Sequence, residues 1–213
     1  MESYLSRWSD DTEFIELFNK FNNLYELNNQ IDTAFIARLY ILRQLAAQQS
    51  SKNLNFAECG VYAGMSMLFT ADKCNKRFIG VDSFEGVSDK TEFDTDYFDT
   101  VKLDIDMKYA LLTLDGISNV EIYKGWIPEA LNNLDELEYS YVHIDVDMYE
   151  PTRDSISYFW PRLCDGGVMI CDDYGSHKTT GARKAMNDFF KRSSIIELPT
   201  GQAIVFKGIT SGE

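Results

Sequence analysis

Residues 54–66, Leu54-Asn55-Phe56-Ala57-Glu58-Cys59-Gly60-Val61-Tyr62-Ala63-Gly64-Met65-Ser66, decide the fold. A short apolar run stops at an acid, turns through two glycines and continues at helical spacing. Gly60 and Gly64 permit a tight turn and let a ligand approach the backbone closely. Ser66 is placed to cap the helix that follows, whose free N–H groups then face a ligand carboxylate. A dinucleotide-binding turn would carry GxGxxG; the GxxxG found here argues against NAD or FAD. Taken alone, the glycine pair decides nothing, because many strand–turn–helix units carry glycines for packing.

Outward from this unit, strands and helices alternate. The pattern predicts strands at Leu54–Cys59, Arg77–Val81, Val120–Tyr123, Tyr141–Val146, Gly167–Cys171, Ile195–Leu198 and Ala203–Lys207. It predicts helices at Ser66–Cys74, Val101–Leu114, Pro128–Leu134, Thr152–Arg162 and Ala182–Arg192. Short apolar strands joined by helical crossovers make a parallel sheet covered on both faces. Pro199-Thr200-Gly201-Gln202 separates the last two strands, which is hairpin length. The fold expected is α/β: a Rossmann-like, seven-stranded, mostly parallel sheet ending in an antiparallel hairpin strand.

Residues 1–50 read as a helical extension and 51–213 as the main domain. Asp11-Thr12-Glu13 opens one helix, with Phe14, Leu17, Phe18, Phe21, Leu24 and Tyr25 at helical spacing. Asp32 or Thr33 opens a second, with Phe35, Ile36, Leu39, Tyr40, Leu42 and Leu45 as its apolar face. The long connection 82–100 is rich in acids and aromatics and reads as a lid.

Parallel sheets bind ligands beyond the carboxyl ends of their strands. At the second end, Asp82-Ser83 follows an apolar run, about twenty residues beyond the first turn, the usual spacing for a carboxylate that holds ribose hydroxyls. Capping is the structural alternative for Asp82. At the third, Gly125-Trp126 offers a glycine and a flat ring, for adenine or for the core. Glu58 would face a ligand ammonium or serve structure only. The candidate cofactor-binding set is therefore Glu58, Gly60, Tyr62, Gly64, Ser66, Asp82, Ser83, Gly125, Trp126 and Asp145.

The fourth strand ends His143-Ile144-Asp145-Val146-Asp147 and the fifth Cys171-Asp172-Asp173-Tyr174-Gly175. Adjacent strand ends bring these acids together, where they repel one another unless a cation or protons neutralise them. Asp145, Asp172 and Asp173 are the expected ligands; oxygen donors select a hard cation, magnesium first, with calcium or manganese as alternatives. A metal lowers the pKa of a bound hydroxyl, and Asp145 can accept its proton. His143, inside an apolar strand, reads as a core residue or as support for the ligands. His177 reads equally as an acid/base group facing substrate or as a solvated loop residue. Gly181-Ala182-Arg183-Lys184 opens a helix suited to an anionic part of a substrate.

The net charge of −14 excludes a phosphate backbone as a natural partner. No apolar run approaches the roughly 18 residues of a membrane helix, and the start of the chain does not read as a signal peptide. The cysteines, Cys59, Cys74, Cys164 and Cys171, have no paired spacing and read as reduced core thiols, which suits the cytoplasm. Zinc ligation would want a CxxC, and there is none.

These stretches resemble the macrocin-type (TylF-like) sugar O-methyltransferases, class I S-adenosylmethionine-dependent enzymes. The resemblance rests on Glu58-Cys59-Gly60-Val61 with Gly64, Asp82-Ser83-Phe84-Glu85-Gly86 and Gly125-Trp126. It rests most on His143-Ile144-Asp145-Val146-Asp147-Met148-Tyr149-Glu150-Pro151-Thr152 and on Asp172-Asp173-Tyr174-Gly175 with Gly181-Ala182-Arg183-Lys184-Ala185. It spans roughly residues 31–207. It implies S-adenosylmethionine, magnesium on Asp145, Asp172 and Asp173, Asp145 as base, a sugar hydroxyl as acceptor and a homodimer or higher homo-oligomer. The competing expectations are a phenolic or catechol-like acceptor, and a non-catalytic protein that keeps the cofactor pocket. A metal hydrolase would need neither the glycine turn nor Asp82.

Overall fold

A computed structural model describes residues 6–25 and 33–208. Seven strands form one sheet: β1 Asn55–Cys59, β2 Phe78–Asp82, β3 Val120–Lys124, β4 Tyr139–Ile144, β5 Leu163–Cys171, β6 Ile196–Glu197 and β7 Ala203–Phe206. Their order is β3-β2-β1-β4-β5-β7-β6. The first five run parallel; β7 lies antiparallel between β5 and β6. The expected sheet is present, closed by the expected hairpin.

The helices are α1 Thr12–Tyr25, α2 Thr33–Ser50, α3 Met65–Thr70, α4 Lys108–Thr113, α5 Tyr149–Arg162 and α6 Thr180–Phe189. Asp11 begins α1 as its composition predicts, its Oδ1 accepting from the Phe14 N–H at 3.0 Å. Thr33 begins α2; Asp32, the alternative start, lies outside the described residues.

Alternation along each strand sends side chains to opposite faces. Phe56, Phe78, Tyr141, Val168 and Ile170 join α1, α2 and α3 in one apolar cluster. Ala57, Ile79, Val142, Met169 and Cys171 join α5 and α6 in the other. Each fully buried aromatic or aliphatic side chain contributes about 1.5–3 kcal/mol, so both helix layers are held strongly. Helices α1 and α2 thus share their core with the sheet. The buried face of α2 is Ile36, Leu39, Leu42, Arg43, Ala46 and Gln49. It is rotated from the expected one, and Phe35 is 38% exposed. Arg43 belongs to that buried face, where it pairs with Asp72 and Glu13 and donates to the Phe69 carbonyl.

Two expectations fail. The helix expected at 101–114 is only six residues long. In Lys102-Leu103-Asp104-Ile105-Asp106, charged and apolar residues alternate, the charged ones exposed and the apolar ones part-buried, which is the period of extended chain. Glu85 and Asp104 form an isolated antiparallel bridge there. The helix expected at 128–134 is a short 3-10 helix, Glu129–Asn133. All four cysteines are free, and Cys164 is only half-buried. No helix among the described residues is long and apolar enough to cross a membrane.

Candidate active site

The ladder continues past the assigned strands and aligns five strand ends. Gly60 N–H donates to the Val81 carbonyl at 2.9 Å and Gly125 N–H to that of Asp82 at 2.8 Å. Asp145 N–H donates to the Cys59 carbonyl at 2.8 Å and Asp172 N–H to that of Ile144 at 2.9 Å. Beyond this edge lies a cavity of about 780 Å³. Its wall includes Gly60, Tyr62, Ser66, Asp82, Ser83, Gly125 and Trp126 on one side, and His143, Asp145, Asp147, Asp172 and Asp173 on the other. The volume suits a nucleoside-sized ligand beside a second small molecule.

The first half is backbone held in shape. Gly60 has φ +88°, and a Cβ there would meet the Asp145 carbonyl oxygen at 1.8 Å. Only glycine allows the β1 turn to cross the β4 end so closely. Asp82 Oδ2 accepts from the N–H groups of Val61 at 2.7 Å and Tyr62 at 2.8 Å, and its Oδ1 from Phe84 at 2.6 Å. The acid read as a ribose ligand therefore also ties the first turn to the second. Tyr62, Phe84 and Asp147 adopt left-handed backbone at φ 49°, 56° and 61°. Such strain, on the order of 1–3 kcal/mol per residue, concentrates at functional sites. Gly64, not Ser66, stands at the N-cap of α3, and no side chain caps it. The Ser66 hydroxyl instead donates to Glu58 at 2.5 Å.

Glu58 is fully buried and does not reach the cavity wall, so it is not placed to meet a ligand ammonium directly. Its partner is His143, Nδ1 to Oε2 at 3.1 Å. Pairing of Glu58 with His143 and of His143 with Ile170 places all three side chains on the α2 face, and Asp172 follows two residues on. His143 Nε2 lies 3.4 Å from Asp172 Oδ1, which also accepts from Gln202 at 2.7 Å. Burial pushes the Glu58 carboxyl above its ordinary range, against the lowering effect of His143.

His143, Asp145 and Asp172 offer donor atoms within 4.8 Å of one another, and this set can hold a divalent cation. The Glu58 carboxylate on the far side of the imidazole fits, since metal-binding histidines usually give their second nitrogen to a carboxylate. The group differs from the sequence expectation in one member: His143 stands where Asp173 was expected. Neighbouring residues alternate in direction, and Asp173 Oδ2 accepts from the Asp147 N–H at 3.1 Å. Burial, then repulsion from Asp145 and Asp147, holds the Asp173 carboxyl well above the usual range. Burial and Asp145 push Asp147 up to about 7.

Like Glu58, the expected residue Gly64 is not among the lining residues, and neither His177 nor the start of α6 joins the site. His177 is exposed and not among the cavity-lining residues. The start of α6 is already filled by a carboxylate. Asp94 Oδ1 accepts from Tyr149 N–H at 2.9 Å and stands where a Gly181 side chain would go. Arg183 donates to the Tyr174 carbonyl and Lys184 pairs with Asp188, so neither cation is free for an anionic substrate. The connection after β2 is docked there by Thr180 Oγ1 on the Phe93 carbonyl and Phe93 against Tyr149.

The sequence reading missed the helical wall. Phe21, Tyr25, Phe35, Arg38, Leu39 and Leu42 of α1 and α2 line the cavity. A cation at 38 amid the apolar positions 35, 39 and 42 is the one signal that could have marked it.

The sheet and site define an α/β protein with a cavity beyond the carboxyl ends of its parallel strands, acidic in its second half. The profile of the Macrocin-O-methyltransferase (TylF) family matches residues 36–203, and the chain belongs to that family. It is similar to the 8-demethyl-8-(2,3-dimethoxy-alpha-L-rhamnosyl)-tetracenomycin-C 4'-O-methyltransferase of Streptomyces olivaceus, 31% identical over 88 residues. That match spans 41% of this chain and 31% of the relative's length. Among solved structures, the O-methyltransferase NovP superposes with TM-score 0.68 at 19% identity, covering 81% of this chain and 80% of NovP. The calicheamicin methyltransferase CalS11 superposes with TM-score 0.66 at 18% identity, covering 92% and 93%. These likenesses show the Rossmann-like methyltransferase fold with N-terminal helices.

Proposed function

We propose that this chain transfers a methyl group from S-adenosylmethionine to a hydroxyl of a sugar carried by a small molecule. The observation that carries this reading is the single cavity joining the glycine turn and Asp82 to the carboxylates of Asp145 and Asp172. S-adenosylmethionine, when bound, would supply a sulfonium methyl to the hydroxyl oxygen, with S-adenosylhomocysteine as the leaving product. A divalent cation such as magnesium, held by Asp145 and Asp172 with His143 as the third donor the geometry offers, would lower the pKa of the hydroxyl. Asp145 takes the proton, and the turn at Gly60 and the ring of Trp126 keep donor and acceptor in line. Asp82 and Ser83 hold the ribose end of the donor.

The S. olivaceus relative is named for a rhamnosyl-tetracenomycin, which supports a sugar acceptor. The apolar wall of Phe21, Tyr25, Phe35 and Leu39 supports an acceptor with an apolar body beside the sugar. Calorimetric titration with S-adenosylmethionine, with and without magnesium, tests the reading. Saturable binding is expected; none at millimolar donor would sink it.

A further inference from the structure

Among the described residues lining the cavity, Arg38 is the one lysine or arginine. It reaches from α2 to the end of β5, pairs with Asp172 Oδ2 and donates to the Asp172 carbonyl at 2.8 Å. Its Nε is buried without a hydrogen-bond partner. Asp172 is fully engaged, with Oδ2 on Arg38 and Oδ1 on Gln202 and His143. Asp145 offers a donor atom within 4.8 Å of one of Asp172, Asp147 and Asp173 line the same cavity, and the positive charge of Arg38 acts on both of them. A divalent cation seeking Asp172 meets an oxygen already in use, and a second positive charge beside it is repelled.

We propose that Arg38 is an internal counter-cation: its guanidinium holds the charge position at Asp172 that a divalent cation takes, and metal binding displaces it. The displaced side chain belongs to the helix that also brings Phe35, Leu39 and Leu42 to the cavity wall. Metal occupancy is thereby linked to the position of α2, and the linkage is reciprocal. The inference rests on the metal part of the proposed function and not on methyl transfer itself.

The test is calorimetric titration of metal-stripped protein with manganese, comparing the native chain with R38M and R38K, beside hydrogen exchange of the α2 amides. R38M is expected to bind manganese about tenfold more tightly than the native chain, within the usual span of coupling between sites. R38K, which keeps the charge, is expected to stay within about threefold of the native chain. Manganese should speed exchange in native α2 and leave that of R38M unchanged. Equal or weaker binding by R38M, or native exchange unmoved by saturating manganese, overturns the proposal. If R38M unfolds without metal, refolding by manganese supports the proposal and failure to refold overturns it. Saturable S-adenosylmethionine binding by the native chain without manganese would leave the donor reading standing even where the Arg38 result fails.

Discussion

The two halves of the sheet's carboxyl edge are built on opposite principles. At β1, β2 and β3 the cavity wall is mostly backbone, shaped by glycines and by one carboxylate that accepts three N–H groups. At β4 and β5 the wall is side-chain charge, with Asp147 and Asp173 pushed up by burial and by their neighbours. In the first half the Asp82 carboxylate is satisfied by those N–H groups. The second carries repulsion that Arg38 offsets in part, and such residual charge is what a chemical step can use. Changes in the first half should therefore cost stability and donor affinity, and changes in the second should cost turnover.

The largest expected effect lies in the second half. Asp145→Asn should lower methyl transfer about a thousandfold, in the range of lost general-base catalysis, and leave donor affinity within about threefold. Release of S-adenosylhomocysteine and calorimetry read the two quantities; full activity would remove the base assignment. In the first half, Gly60→Ala meets the Asp145 carbonyl and a left-handed backbone. A loss of about 3 kcal/mol in urea denaturation is expected. A smaller loss, about 1–3 kcal/mol, should follow Asp82→Asn, which replaces one acceptor oxygen by a donor facing N–H groups. Donor binding should weaken with it; if affinity holds while stability falls, Asp82 is a turn residue only.

The pH response sharpens the same contrast. Asp147 has its folded pKa raised from 3.8 to about 7, so its contribution to stability is fully present below about pH 4 and is lost as pH rises through 7. Metal-free Asp147→Asn should therefore gain on the native chain in melting temperature between pH 4 and 8. A constant gap across that range would contradict the folded-state shift. The smallest effect is expected at the docked loop, where Asp94→Ala removes the contact to the starts of α5 and α6. A loss of about 1 kcal/mol and faster proteolysis within residues 83–107 are expected.

Legibility followed the same division. The glycine turn, Asp82, Gly125 and the acids after β4 and β5 stand at strand ends, and short apolar strands separated by helices place those ends without any structure. The alternating stretch Lys102–Asp106 was also readable, since its period is two, but its position ahead of a helix concealed it. Arg38 and Gln202 were not readable. Each meets Asp172 from an element far away in the chain, 134 residues before it in one case and 30 after it in the other.

By itself the sequence determined the class of sheet, its strand ends and the acids gathered there, because periodicity and turn chemistry are local properties. Tertiary structure alone decided how those acids are shared out. It placed Asp172 on the His143 face and Asp173 against the Asp147 backbone, withdrew Glu58 from the cavity, filled the start of α6 with Asp94 and set Arg38 into the acidic cluster. The physical reason is that a carboxylate's partners are fixed by which face it leaves a strand on and by which distant helix covers that face. Neither is a property of the residue or of its neighbours in the chain.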